Sequence, residues 1–194
     1  ETRTPWPRDE VIRRAEESDA ILGFMTDCID APFLARCKRL RVVACALKGY
    51  DNFDMESCSA AGVWVTIVPD LLTEPTAELA VGLAIGLARN IRDGDTLVRS
   101  GQFEGWRPVL YGTGLDGSVV AIVGMGRVGR AVAQRLAGFG CRMLGVDPSA
   151  ETPPGMIKVD LNRALEAADF VILCAPLTAG SRHQIGADAL SRMK

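Results

Sequence analysis

One stretch limits this chain more than any other. The apolar run Val119-Val-Ala-Ile-Val passes directly into Gly124-Met-Gly126-Arg-Val-Gly129. A helix-like pattern follows over residues 127–137, and a second apolar run at 143–146 ends on Asp147. This is the strand, glycine turn, helix, strand order that a dinucleotide needs. Gly124 permits the tight turn, Gly126 lets backbone N–H groups approach a pyrophosphate, and Gly129 lets helix and strand pack closely. Asp147 stands 18 positions after Gly129, near the spacing of about 20 at which a carboxylate meets the adenosine ribose. Three glycines in a chain with 20 of them could be chance, but the flanking elements and the terminal acid are not supplied by chance. The expected cofactor is NAD. The charge of Asp147 would repel the 2′-phosphate of NADP, although Arg127 and Arg142 are cations close by in sequence.

Alternating strand and helix patterns run through the remaining sequence. Residues 8–17 and 32–37 are helix-like, and 20–24, 41–46 and 63–68 are apolar runs of strand length. Asp54 can cap a short helix that stops at Gly62. Pro69 and Pro75 punctuate a turn ahead of a long helix expected over 76–92. Residues 94–117 read as irregular, with six glycines and the aromatics Trp106 and Tyr111. After Asp147 come a proline-marked loop, a short strand at 156–159, a helix over 161–168 that Asp160 can cap, and a strand at 170–175 closed by Pro176. Such alternation predicts an α/β fold of two Rossmann-like, doubly wound parallel-sheet domains. The expected division is a substrate-binding domain over 1–72 and a NAD-binding domain over 73–194. Both read as incomplete, because the chain begins at Glu1 without methionine and stops inside a helical pattern at Lys194.

Composition narrows the function classes. Acids slightly outnumber bases, giving a net charge of −2 with the basic residues scattered, so no nucleic-acid surface is expected. The longest apolar stretch, 79–88, is too short for a membrane span and reads as a buried helix. Its Gly82-x-x-x-Gly86 would let another helix approach, within the chain or from a second copy, or is simply two tolerated small residues. The six cysteines, Cys28, Cys37, Cys45, Cys58, Cys141 and Cys174, show neither a C-x-x-C pair nor zinc spacing. They predict free thiols in a reducing cytoplasm and no metal. No secretory leader is visible in the polar residues 1–14.

The loop after the 41–46 strand, Leu47-Lys48-Gly49-Tyr50-Asp51-Asn52-Phe53-Asp54, lies where open α/β sheets bind ligands. From the residues alone, Lys48 is either a substrate-binding cation or an ordinary solvated lysine. Three segments, Ala46-Leu-Lys-Gly-Tyr-Asp-Asn-Phe-Asp, Thr76-Ala-Glu-Leu-Ala and Gly124-Met-Gly-Arg-Val-Gly, together resemble the D-2-hydroxyacid dehydrogenase family. Within it, the resemblance is to the phosphite (phosphonate) dehydrogenases. It extends to Gly62-Val-Trp-Val-Thr-Ile-Val-Pro-Asp-Leu-Leu-Thr, Val98-Arg-Ser-Gly, Gly105-Trp-Arg-Pro and Tyr111-Gly-Thr-Gly-Leu. It covers most of 20–194 and is weakest over 148–158. Lys48 discriminates, since general 2-hydroxyacid dehydrogenases mostly carry an uncharged residue there.

The resemblance implies roles for particular residues. Lys48 would bind the anionic substrate beside the Gly49 N–H and close to the cofactor, and Thr76 would touch the nicotinamide end. Arg127 and Val128 would meet the pyrophosphate, Asp147 the ribose, and Ala175 with Pro176 the adenine. Met25, Trp106 and Tyr111 would stand near the substrate cleft, although such side chains are more often plain packing. A catalytic arginine, glutamate and histidine are expected beyond Lys194. The chain's only histidine, His183, is therefore expected to be structural. The implied reaction is NAD-dependent oxidation of phosphite, in a homodimer. Two alternatives stay open: a dehydrogenase acting on a small 2-hydroxy or 2-keto acid, and a non-catalytic NAD-binding regulator of the same fold. The piece from 1 to 194 is itself expected to be inactive.

Overall fold

The computed structural model describes residues 4–194; Glu1, on which part of the fragment expectation rests, lies outside them with Thr2 and Arg3. Two compact units divide between Leu72 and Thr73.

The first unit contains α1 (Arg8–Ala15), β1 (Ala20–Gly23), α2 (Ala31–Arg36), β2 (Val42–Cys45), α3 (Met55–Ala60) and β3 (Trp64–Thr66). Its strands form a parallel sheet in the order β1-β2-β3. The period-two side-chain alternation of a strand sends Val43 and Cys45 into a core with Ile12 and Ala15 of α1, Phe33 and Leu34 of α2, and Cys58 of α3. On the opposite face Leu22 and Trp64 are exposed, so the described helices cover one face of this sheet. Aspartates start two of these helices. Asp30 accepts from the Phe33 N–H and Asp54 from the Ser57 N–H, each satisfying a first-turn donor that has no partner within its helix.

The second unit begins with α4 (Thr73–Ala88) and α5 (Ile91–Arg99). It continues with β4 (Val119–Val123), α6 (Arg127–Leu136), β5 (Arg142–Val146), β6 (Met156–Lys158), α7 (Leu161–Ala167), β7 (Phe170–Leu173) and α8 (Ala187–Arg192). Its parallel sheet runs β6-β5-β4-β7 and is wound on both faces. Val120 and Ile122 pack with Ala77 and Val81 of α4 and Val132 and Leu136 of α6. Ala121 and Val123 point the other way, toward Ala164 of α7.

Two expectations are corrected here. The helix anticipated over 76–92 starts at Thr73, with Pro75 inside its first turn, where a missing N–H costs nothing. It ends at Ala88, because Asn90 takes a left-handed conformation (φ 52°) and breaks the run. Residues 91–99, most of them expected to be irregular, then form α5, with Gly94 in its interior.

Candidate functional site

The strand register brings three segments together at the carboxyl edge of the second sheet. Val123 is level with Val146 and with Leu173, so Gly124, Asp147 and Ala175 follow their strands at the same end. The strand order reverses here, with the chain leaving β4 toward β5 on one side and returning as β7 on the other. That is the position at which doubly wound sheets bind ligands.

Each glycine of the fingerprint has its own geometry. Gly124 has φ 98°, and a Cβ there would fall 2.6 Å from the Ala175 nitrogen. A Cβ on Gly129 would fall 1.9 Å from the Gly124 carbonyl oxygen, so only glycine allows α6 this close to β4. At Gly126 a Cβ would meet nothing within 4 Å. Gly126 is also the N-terminal cap of α6, and no side chain caps the helix. Arg127 and Val128 form its first turn, Arg127 exposed and Val128 half-buried. An uncapped helix N-terminus over open space suits a pyrophosphate.

Asp147 is half-buried and makes more contacts than the sequence indicated. Its Oδ2 accepts from the Met125 N–H at 2.8 Å, and its Oδ1 accepts from the N–H groups of Ser149 at 2.9 Å and Ala150 at 2.7 Å. These donors, Ala150 foremost and then Met125 and Ser149, hold its carboxyl down at about 2. The group is an anion at any physiological pH and keeps lone pairs for ribose hydroxyls. Arg130 was not anticipated. Its Nε donates to the Met125 carbonyl at 3.0 Å and its Nη2 to the Glu151 carbonyl at 2.6 Å. No sequence pattern distinguishes this arginine from others on α6.

The other candidates in this unit are spread around the same scaffold. Thr76 is exposed near the start of α4, a helix clipped to α6 by Arg135, whose Nη2 reaches Glu74 at 2.6 Å and Glu78 at 3.1 Å. Ala175 is half-buried and Pro176 exposed, just past β7. Burial pushes the neighbouring Cys174 thiol up to about 11, so it stays neutral. Trp106 and Tyr111 are 105% and 84% exposed, so neither is buried among the described residues. The backbone beneath Tyr111 is nevertheless fixed. The Asn90 amide donates to the Leu110 and Tyr111 carbonyls, and the Thr113 N–H donates to the Ala88 carbonyl at 2.8 Å. His183 is exposed at φ 57° and meets the Arg182 guanidinium.

In the first unit, Met25 and Lys48 occupy the loops after β1 and β2, again at the carboxyl edge. Lys48 is exposed and has no ion-pair partner among the described residues. Its turn is held from below, where the buried Cys45 thiol donates to the Gly49 carbonyl at 3.4 Å. The Asn52 amide donates to the Phe24 carbonyl at 3.1 Å and to the Asp27 carbonyl, joining the Lys48 loop to the Met25 loop. Asp27 in turn accepts from the Phe24 N–H at 2.7 Å. Sequence reasoning missed Cys45 and Asn52, because each acts on main-chain groups that any residue would offer.

The geometry of the second unit is that of a dinucleotide-binding domain. Residues 81–194 match the model of the D-isomer specific 2-hydroxyacid dehydrogenase NAD-binding domain, and the chain belongs to that family. It is 38% identical to a glyoxylate reductase of Thermococcus litoralis, over 97% of this chain and 60% of the relative. A solved structure from Thermus thermophilus superposes with a TM-score of 0.93 at 34% identity, covering 98% of this chain and 61% of the other. For apo D-lactate dehydrogenase of Escherichia coli the values are 0.81 and 28%, over 96% and 60%. The chain thus spans about 60% of the length of the curated relatives it matches. Among the described residues, no helix is long and apolar enough to cross a membrane.

Proposed function

We propose that the protein is a NAD-dependent oxidoreductase that oxidises phosphite to phosphate. The observation that carries this reading is Lys48, an exposed cation without a counter-charge among the described residues, on a turn stiffened by Cys45. An exposed ammonium at a sheet's carboxyl edge suits a small anion, and a lysine is a compact, strongly hydrated point charge rather than a planar fork. Bound NAD⁺ supplies the hydride acceptor. In the reaction the P–H bond breaks with its electron pair leaving as hydride. A P–O bond forms to a water oxygen, and the water's proton passes to a general base. Lys48 and the Gly49 N–H hold the anion's oxygens, with Met25 on the neighbouring loop, and Trp106 and Tyr111 are further substrate candidates in the second unit. Thr76 meets the nicotinamide end, Gly124, Gly126, Arg127, Val128 and Gly129 the pyrophosphate, Asp147 the ribose, and Ala175 with Pro176 the adenine. The reading assigns the general base to a histidine outside residues 1–194.

A second reading is favoured by the names of the relatives: reduction of glyoxylate or another small 2-keto acid, with Lys48 holding the carboxylate. The two separate in one experiment on the full-length protein, by following NADH absorbance with NAD⁺ plus phosphite and with NADH plus glyoxylate, in wild type and Lys48→Met. Phosphite turnover whose KM rises at least tenfold in the variant is expected. Glyoxylate turnover without phosphite turnover would overturn the first reading in favour of the second, and no turnover of either would point to the regulatory alternative.

The partner proposed is a second copy. Leu79, Leu83 and Leu87 are 63%, 59% and 76% exposed, one helical turn apart on α4. Gly82 and Gly86 lie in the same helix with nothing within 4 Å of a Cβ, so a second helix can approach closely. An apolar stripe of this length is normally covered. Six free cysteines support a reducing, cytoplasmic setting.

A further inference from the structure

Met125, between the first two glycines of the fingerprint, is gripped on both sides. Its N–H donates to Asp147 and its carbonyl accepts from Arg130. Both side chains then continue to the same second segment. Asp147 takes the N–H groups of Ser149 and Ala150, and Arg130 gives a hydrogen bond to the Glu151 carbonyl. One carboxylate collects the donors of two loops, and one guanidinium serves their acceptors. Met125 is 1% exposed, so a carbonyl released by Arg130 would find little water to replace it.

We infer that Arg130 is a positioning residue for the adenosine half of the cofactor, closing a clamp with Asp147 across the β4–α6 turn and the loop at 147–151. This rests on the reading of the second unit as the NAD site. Two features make the role specific. The arginine uses Nε and Nη2 on carbonyls in two different loops, a bridge that a lysine's single ammonium does not reproduce. It also acts on the two segments that flank the ribose and pyrophosphate, while the nicotinamide end lies elsewhere. Both loops are held by the protein's own hydrogen bonds, so cofactor binding need not order either loop.

The test uses the full-length protein with Arg130→Lys and Arg130→Met. Calorimetry would measure the affinity for NAD⁺ and for ADP-ribose, which lacks the nicotinamide. A clamp predicts that both variants lose about tenfold in affinity for both ligands, with kcat at saturating NAD⁺ held within about twofold. Near-wild-type affinity in Arg130→Lys would overturn the inference, because charge alone would then suffice and Arg130 would be a plain phosphate cation. Wild-type affinity in both variants would also overturn it. Failure of the wild type to bind either ligand would sink the NAD reading itself. Hydrogen exchange on the wild type needs no variant to fold. Slow exchange of the Met125, Ser149 and Ala150 amides before NAD⁺ is added is expected, and fast exchange until NAD⁺ is added would overturn the preformed clamp.

Discussion

Asp147→Asn tests the structural work of the Asp147 carboxylate. The carboxylate accepts from Met125, Ser149 and Ala150, three N–H groups at 2.7–2.9 Å. An asparagine keeps one acceptor oxygen and turns an amide donor toward an N–H that needs an acceptor. The depression of the carboxyl from 3.8 to about 2 measures the preference for the anion. At 1.36 kcal/mol per pH unit that is roughly 2.4 kcal/mol, and screening of a half-buried group reduces it to about 1–2 kcal/mol. The folded pKa is lowered, so this stabilisation is complete above pH 3.8 and is lost as the pH falls through about 2. At pH 3 about half remains. Urea unfolding of wild type and Asp147→Asn without NAD, followed by circular dichroism, should show the full gap at pH 7 and about half of it at pH 3. Equal stability at pH 7, or a gap as wide at pH 3 as at pH 7, would refute the reasoning.

The two inner glycines should separate cleanly. Gly129→Ala puts a Cβ 1.9 Å from the Gly124 oxygen and should cost at least about 2 kcal/mol of stability, whereas Gly126→Ala meets no protein atom and should melt like wild type while binding NAD⁺ at least tenfold more weakly. A stable Gly129→Ala, or a Gly126→Ala that binds normally, would show the glycines misassigned. Asn52→Ala frees the Phe24 and Asp27 carbonyls and should raise KM for the anionic substrate several-fold with kcat little changed. An unchanged KM in steady-state assays would remove Asn52 from the site. Leu83→Glu buries a charge if α4 is the dimer contact, so sedimentation should show a monomer where wild type is a dimer. A dimeric variant would place the contact elsewhere.

What could be read from the sequence was whatever a residue does to its own backbone. Gly124 and Gly129 are legible because no side chain fits there, and Asp54 and Asp160 because a cap reaches only three residues on. The same local reasoning failed at Pro75, which looks like a breaker until its position in the first turn of α4 is known. It failed again at α5, whose alternating charges and central glycine hide the helix. Asn52 and Arg130 were out of reach for a different reason. Three of their four acceptors lie 21–28 positions away, and all four are carbonyl oxygens, which every residue carries. Only the fold brings them together.

The two sheets solve one problem with different chemistry. Each must hold several loops still at its carboxyl edge, where the sheet hydrogen bonds that order the strands have ended. In the first unit an uncharged amide and a thiol do this, Asn52 joining loops and Cys45 supporting the Lys48 turn. The Asp27 carboxylate holds the Phe24 N–H at the same edge, and Lys48, exposed and in no ion pair among the described residues, is the cation there that can meet an anion. In the second unit the ties are a carboxylate and a guanidinium, whose opposite charges offset each other around Met125. In the proposed cofactor site, phosphate attraction falls to the N-terminus of α6, and the Asp147 anion would disfavour a 2′-phosphate. An Asn52→Asp variant is the sharper counterpart of Asn52→Ala: its carboxylate would face two carbonyl oxygens and stand four residues from Lys48, so the anion's KM should rise further than in the alanine variant. Equal KM values in the two variants, measured at low ionic strength, would show that geometry alone, and not the field, governs that edge.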